Sequence, residues 1–145
     1  MQVDFYQLTR DPAEAVLPAI ARRVLEDGGR LLVVSADRDQ LERISRGLWD
    51  AGAETYLAND HADAPMPEVQ PVLLAGSCEP LNGARMIALA DGEWRAEALD
   101  FDRAFYFFDD ATIDNARANW RALSKADGVE PRFWKQDGGK WRQGP

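Results

Sequence analysis

Gly29-Arg30-Leu31-Leu32-Val33-Val34-Ser35 is the stretch of sequence that decides the fold of this chain. Its four central residues, 31 to 34, are all apolar and stand between polar or small neighbours. A continuous apolar run of this kind is typical of a strand buried on both faces, and such strands occur in parallel sheets whose two faces are covered by helices. We therefore expect a parallel sheet with this strand in its interior.

The segments on either side of this strand have helical spacing. Upstream, residues 3–8 mix β-branched and aromatic residues like a strand, and a helix then begins with Asp11 as N-cap and Pro12 as its first residue. Apolar residues recur at helical spacing until Gly28-Gly29, which we expect at the C-terminus of that helix. Downstream, residues 35–37 open a second helix. The order strand, helix, strand, helix predicts a layered α/β fold.

The pattern continues with short strands and ends with a helix and a hairpin. Further strands are predicted at residues 55–57, 72–74, 86–89 and 104–108. A helix of about fifteen residues follows. It is capped by Asp109-Asp110 or by Thr112 and ends near Asp127-Gly128. Two strand-like segments, 131–136 and 140–142, then flank a turn with two glycines, which predicts a terminal hairpin.

Length and composition set limits on the class of protein. The chain has 145 residues, 46% of them hydrophobic, which matches one domain over residues 1–145. No stretch approaches the roughly 20 apolar residues that cross a bilayer, and residues 1–9 lack the features of a signal peptide. We therefore expect a cytoplasmic protein with no membrane contact. The acidic pI, near 4.6, argues against electrostatic coating of DNA or RNA.

Residues that support catalysis or metal binding are few. The turn at residues 9–12, between the first strand and the first helix, has no glycine that would let backbone N–H groups cradle a phosphate. A lone Cys78 and a single His61 exclude a disulfide and a cysteine zinc cluster. Asp109-Asp110 is explained more simply as a helix cap than as a metal site. We predict no catalytic site, cofactor or metal; a nucleotide- or metal-dependent enzyme is the alternative.

The charge of the chain reverses near its end. Residues 115–145 hold seven Lys/Arg against three Asp/Glu, a net of +4, whereas residues 1–114 hold ten against twenty-two, a net of −12. The basic residues alternate with aromatic ones. Cations beside flat apolar rings suit an anionic partner that also has an apolar group to bury. Direct binding of single-stranded DNA, with bases stacked on the rings, is one alternative.

The most specific part of the basic segment is the helix after the last strand. At 100° per residue, Arg117, Arg121 and Lys125 share one outer face, and Trp120 lies at its edge. Like charges on one stripe repel each other mildly, and a bound anion reverses that cost. Arginine suits carboxylates, and the indole supplies an apolar wall. An ordinary solvated helix surface is the competing interpretation.

With these residues the chain resembles the chi subunit of bacterial DNA polymerase III, an accessory protein of the clamp-loader complex. The resemblance covers most of the chain, and the order and spacing of short motifs carry it. The motifs are Phe5-Tyr6-Gln7-Leu8, Arg30-Leu31-Leu32-Val33, Leu48-Trp49, Gln70-Pro71-Val72-Leu73-Leu74, Asn82-Gly83-Ala84, Phe108-Asp109-Asp110, the segment from Ala116 to Arg121, Phe133-Trp134-Lys135-Gln136 and Gly139-Lys140-Trp141. One departure is Tyr56-Leu57-Ala58-Asn59, which stands where the family often has Phe-x-Pro-His and leaves His61 displaced.

The resemblance implies a three-layer Rossmann-like fold, similar to mononucleotide-binding proteins, with a mostly parallel central sheet. It also implies a noncatalytic accessory subunit that binds the acidic, phenylalanine-terminated tail of single-stranded DNA-binding protein and joins the clamp loader through the psi subunit. Contact with DNA is then indirect. Arg117, Trp120 and Arg121 fall on positions that the family uses for the tail, and Lys125 lies beside a position that is basic in some relatives. We expect these four residues to form the tail site.

Overall fold

The structure is a computed structural model that describes residues 1–51, 57–137 and 140–144. The strands in these residues are β1 (Gln2–Gln7), β2 (Leu31–Val34), β3 (Asn59–His61), β4 (Val72–Ala75), β5 (Met86–Leu89), β6 (Arg103–Phe108), β7 (Glu130–Asp137) and β8 (Lys140–Gln143). The helices are α1 (Ala13–Glu26), α2 (Arg38–Trp49) and α3 (Ile113–Ser124), with short 3-10 helices at Pro67–Val69 and Ala96–Asp100.

These eight strands form one sheet in the order β3-β4-β2-β5-β6-β1-β7-β8. Neighbouring strands are parallel except for β7 and β8, which are antiparallel. Helices α1 and α2 cover one face of the sheet, and α3 covers part of the other. The predicted α/β fold, with three layers and a mostly parallel sheet, is confirmed.

The stretch that decides the fold is strand β2, which lies between β4 and β5. Its side chains are fully buried and alternate between the two faces of the sheet. Leu31 and Val33 belong to the core under α1 and α2, whereas Leu32 and Val34 belong to the core on the α3 side. One apolar run thus supplies both cores, which is why it contains no polar residue.

Helix α1 begins one residue later than predicted. Its N-cap is Pro12 rather than Asp11, because the Asp11 carboxylate instead accepts a 2.8 Å hydrogen bond from the side-chain amide of Gln136. The predicted end of the helix is confirmed. Gly28 follows the last turn with φ +82°, a left-handed conformation that glycine adopts without strain.

Two other predicted boundaries differ from the structure. The strand predicted at residues 55–57 lies largely outside the described residues, and β3 is found later in the chain, beside β4. Helix α3 has 12 residues and is shorter than predicted. Its N-cap is Thr112, one of the two predicted caps, whereas Asp109 accepts hydrogen bonds from the backbone N–H groups of Ala111 and Thr112 at 3.0 and 3.2 Å. This separate turn delays the start of the helix.

The C-terminal hairpin is confirmed, and it is part of the main sheet. Strand β7 is parallel to β1 from Glu130 to Lys135 and antiparallel to β8. The two glycines of the predicted turn, residues 138 and 139, lie outside the described residues. The pairing places the last strands of the chain against the first one.

Candidate functional site

A cavity of about 440 Å³ lies between α3 and the sheet. It forms there because β6, β1 and β7 are adjacent parallel strands, so side chains at matching register positions share one face. Phe5 on β1 is in register with Phe133 on β7, and Gln7 is in register with Lys135. All four residues line the cavity, and α3 supplies its opposite wall.

The floor of this cavity is aromatic. The ring of Trp120 meets that of Phe5 edge to face, with centroids 5.1 Å apart, and meets Phe133 in the same way at 6.3 Å. Phe108 lies 6.2 Å from Phe133. Phe5 is buried, whereas Trp120 is half-buried, so packing holds the indole in place while part of it faces the cavity. An incoming apolar side chain would therefore contact fixed ring surfaces.

Three basic side chains stand around this aromatic floor. Arg117 and Arg121 come from α3, and Lys135 comes from β7; all three are exposed. Arg117 lies 3.8 Å from the Asp114 carboxylate, an exposed pair that contributes little to stability. Within the part of the chain that the structure describes, Arg121 and Lys135 have no carboxylate within 4.0 Å. Their charges are available to an external anion.

The structure brings together three of the four residues that the sequence analysis selected. Arg117, Trp120 and Arg121 line the cavity. Lys125 is the C-cap of α3, one turn beyond Arg121, and is exposed outside the cavity lining. The predicted outer face of the helix is also found, since the three basic residues are exposed whereas Ala116 is buried.

Sequence reasoning missed the contribution of the strands. Phe133 and Lys135 belong to the basic aromatic segment for which no task was predicted. Their spacing of two residues places both on one face of a strand, and this was the available signal. Phe5 and Phe108 gave no separate signal, because buried strand residues have the same appearance whether or not they line a cavity. Their place in the cavity becomes visible only when the sheet order shows that β6, β1 and β7 are adjacent strands.

The turn between β1 and α1 is occupied by a side chain of the protein itself. The amide oxygen of Gln136 accepts hydrogen bonds from the backbone N–H groups of Thr9, Arg10 and Asp11, with N···O distances of 3.3, 3.1 and 3.2 Å. Gln136 is buried. In nucleotide-binding proteins of this architecture the corresponding N–H groups are directed at phosphate. Here they are already satisfied, which agrees with the absence of glycine from this turn.

The remaining candidate groups belong to different elements of the fold. His61 on β3 is buried, with Nε2 3.0 Å from a carboxylate oxygen of Glu42. Cys78 is half-buried in the loop after β4, where burial raises the pKa of its thiol. Asp109 stabilises its own turn. In the described ranges 1–51, 57–137 and 140–144, no group of three or more His, Cys, Asp and Glu side chains is placed to hold a metal ion.

Comparison with known protein families shows to which family the chain belongs. The sequence model of one protein family, the DNA polymerase III chi subunit, HolC, matches residues 1–131. The chain belongs to this family. The matched region includes α3 with Arg117, Trp120 and Arg121 and ends just before Phe133 and Lys135. The resemblance stated from the sequence motifs is thereby confirmed.

Membership of the chi family gives this chain an accessory role in DNA replication, as a component of the polymerase III complex. No curated protein matches the chain. Among the residues that the structure describes, no helix is long and apolar enough to cross a membrane.

Proposed function

We propose that this chain is a noncatalytic adaptor of the polymerase III complex that captures the acidic, phenylalanine-terminated tail of single-stranded DNA-binding protein. The observation that carries the proposal is the cavity in which Arg117, Arg121 and Lys135 surround an aromatic floor. Carboxylates match the cations, and a phenyl ring matches the floor. Both features occur at the end of such a tail.

Each part of the cavity has a role in this proposal. Arg121 binds the terminal carboxylate, because its guanidinium group has two parallel donors and no partner of its own among the described residues. The terminal phenyl ring packs beside Trp120 and Phe133. Arg117 meets an upstream aspartate. Lys125, one turn further along α3, meets the next one.

Such a short contact is expected to be weak and sensitive to salt. A peptide held by one ring and a few charge-assisted hydrogen bonds binds at micromolar strength, roughly −8 kcal/mol. The cations are exposed, so added salt screens them and lowers the affinity. A weak individual contact suits an adaptor that must release its partner as replication proceeds.

The adaptor is proposed to be a cytoplasmic, single-domain protein with a second connection to the clamp loader, through a psi subunit or an equivalent component. The tail site lies on the α3 face of the sheet, which leaves the surfaces of α1, α2 and β3 available for that component. Contact with DNA is indirect in this proposal. The net charge of −8 supports this, since it opposes a nucleic-acid backbone.

A titration with a fluorescent peptide tests the proposal. The peptide carries two aspartates and ends in phenylalanine with a free carboxylate; its C-terminal amide is the control ligand. We expect saturable binding of the acid form, about tenfold weaker binding of the amide, and a similar loss in Arg121→Ala. Arg46→Ala is the matched control, since Arg46 is an exposed arginine on α2. Absence of binding at low salt, or equal binding by Arg121→Ala and wild type, would overturn the proposal.

The same titration separates the alternatives. A single-stranded oligonucleotide that binds more tightly than the peptide, and loses that affinity in Arg121→Ala, would assign the site to DNA. Thermal stabilisation by a nucleotide or by Mg²⁺ would indicate an enzyme. We expect neither, because the β1–α1 turn is filled by Gln136 and the chain as a whole is acidic.

A further inference from the structure

A second cavity, of about 460 Å³, lies on the opposite face of the sheet. Its floor consists of Tyr6 on β1 and Phe105 on β6, its far wall is Trp141 on β8, and helix α1 closes the other side with Ile20 and Ala19. Helices α1 and α2 cover only part of this eight-stranded face. The cavity lies beside α1, where the aromatic side chains of β1, β6 and β8 are not covered by a helix.

The first sign of a binding site is the arrangement of Arg103. Its Nε donates a 2.6 Å hydrogen bond to the fully buried carboxylate of Asp4. Its guanidinium carbon lies 4.8 Å from the centroid of the Phe105 ring. These two contacts fix the plane of the group and use only one of its nitrogens. The two terminal nitrogens have no hydrogen-bond partner among the described residues and stand at the edge of the cavity.

The second sign is the hydroxyl group of Tyr6. The side chain is nine-tenths buried, and its ring packs on Phe107 at 5.2 Å and against Trp141 at 5.0 Å. Its hydroxyl group has no hydrogen-bond partner among the described residues, and Tyr6 lines the cavity. The hydroxyl oxygen is not itself enclosed, since Nδ1 of His61 is the only enclosed side-chain nitrogen or oxygen without a partner in those residues. A solvent-accessible donor and a fixed guanidinium fork thus border the same space.

The charged residues at the rim narrow the class of ligand. Arg22 and Arg23 on α1 are exposed and line the cavity, and neither forms an ion pair with another described residue. Glu26 and Asp27 line it as well, at the end of the same helix. A phosphodiester chain carries a negative phosphate at every nucleotide, and these two carboxylates would repel it. A peptide with a single acidic side chain avoids them and can offer backbone N–H groups to them.

We propose that this cavity is a second docking site, for a partner peptide that carries one acidic side chain next to a bulky apolar one. The carboxylate binds the terminal nitrogens of Arg103 and accepts a hydrogen bond from Tyr6. The apolar side chain packs between Trp141 and Ile20. The site lies on the sheet face opposite to α3 and does not depend on the function proposed for the first cavity, so one chain holds two partners at once.

Residue-resolved NMR of the whole ¹⁵N-labelled chain tests this site. The probe is N-acetyl-aspartyl-phenylalaninamide, and its asparagine analogue is the neutral control ligand. We expect saturable shifts of the α1 amides and of the Trp141 indole N–H, with binding of the asparagine analogue about tenfold weaker. Shifts on α3 report the first cavity separately.

Variants decide whether those shifts come from the cavity. Ala19→Trp fills it from an exposed position, and Ala15→Trp places the same side chain one turn earlier, outside the lining. We expect Ala19→Trp to abolish the α1 shifts, Ala15→Trp to keep them, and Tyr6→Phe to weaken binding while the ring packing remains. The ¹⁵N spectrum of Ala19→Trp should keep the dispersed α3 and sheet amide signals of wild type, which shows that the variant is folded.

Several outcomes would overturn the inference. One is the absence of saturable α1 shifts up to about 10 mM probe. Another is equal binding of the aspartate and asparagine ligands, which would leave an apolar groove without anion recognition. Tighter binding of a single-stranded oligonucleotide at the same residues would assign the site to nucleic acid instead. Failure of tail binding at α3 would leave this inference unaffected, since the two sites give separate signals.

Discussion

The side-chain amide of Gln136 donates a 2.8 Å hydrogen bond to the carboxylate of Asp11, although the two residues are 125 positions apart. The oxygen of the same amide accepts from three consecutive backbone N–H groups in the β1–α1 turn. A residue of the last long strand therefore holds the first turn of the fold in shape. This turn is the place where related architectures bind phosphate, so the contact replaces a ligand by a side chain.

Replacement of Gln136 by alanine is expected to destabilise the protein. The substitution leaves the N–H groups of Thr9, Arg10 and Asp11 without their acceptor and removes a donor from the Asp11 carboxylate. Gln136 is buried, and the loss of hydrogen bonds made by a buried side chain costs about 1–3 kcal/mol. Urea unfolding measures the loss. Gln143→Ala, at an exposed position on β8, is the matched control and should stay within about 0.5 kcal/mol of wild type.

The two lysines near the tail site should differ in their effect on tail binding. Lys135 lines the cavity, and Lys125 stands beyond it at the C-cap of α3. We expect Lys135→Ala to lower the affinity for the tail peptide about threefold to tenfold and to reduce the salt dependence of binding. Lys125→Ala should have a smaller effect on both. Fluorescence anisotropy at two salt concentrations measures both. The reverse order would move the peptide towards the C-terminal end of α3.

Trp120 should matter for both binding and folding. Its ring packs edge to face on Phe5 and Phe133, and its remaining surface borders the cavity. Trp120→Ala is expected to lower the affinity for the tail peptide about tenfold or more and to lower the free energy of unfolding by about 2 kcal/mol. Trp120→Phe should recover most of the stability. Trp49→Ala is the control, because Trp49 is 57% exposed on α2, and its tail affinity should equal that of wild type.

The raised pKa of Tyr6 predicts that the free energy of unfolding falls at alkaline pH. Burial and the nearby Asp4 carboxylate raise the pKa of Tyr6 to about 12, although Arg103 and Arg23 act in the opposite direction. The folded chain therefore holds this proton more tightly than the unfolded chain, whose tyrosine titrates near pH 10. The resulting stability is complete below about pH 10 and is lost as the pH rises to about 12.

The comparison with Tyr6→Phe isolates this contribution, because phenylalanine has no proton to lose. Urea unfolding across that pH range should show wild type losing up to about 2–3 kcal/mol more than the variant. Parallel curves for the two proteins would show that the hydroxyl of Tyr6 reaches water freely in the folded state.

Much of the architecture could be predicted from local patterns. The apolar run at residues 31–34 indicated a strand with two buried faces, and Gly28 marked the end of α1. Asp11 was wrong as a helix cap, because its carboxylate is used by Gln136 from a distant strand. No local pattern reports such a partner. Of the two caps predicted for α3, Thr112 is the one found, because Asp109 is used in the turn before it.

The site was predictable to the extent that a single helix carries it. Arg117, Trp120 and Arg121 follow from helical spacing, and the structure brings them to one cavity. Phe133 and Lys135 come from β7, and their place depends on the order of strands in the sheet. The sequence predicted a hairpin there but did not indicate which strand of the sheet it pairs with. Pairing between the first and the last strands is a long-range relationship that periodicity does not encode.

The pairing of β1 with β7 also sets a time order for the protein. Strand β1 leaves the ribosome before its two neighbours in the sheet, β6 and β7, which come about 100 residues or more later in the order of the elements. Hydrogen bonds between Thr9 and Gln136 span 127 positions, and such distant contacts form slowly compared with local ones. The floor of the α3 cavity needs both β1 and β7. A nascent polypeptide therefore has no finished cavity until β7 has been made, so the proposed tail site is assembled late in synthesis.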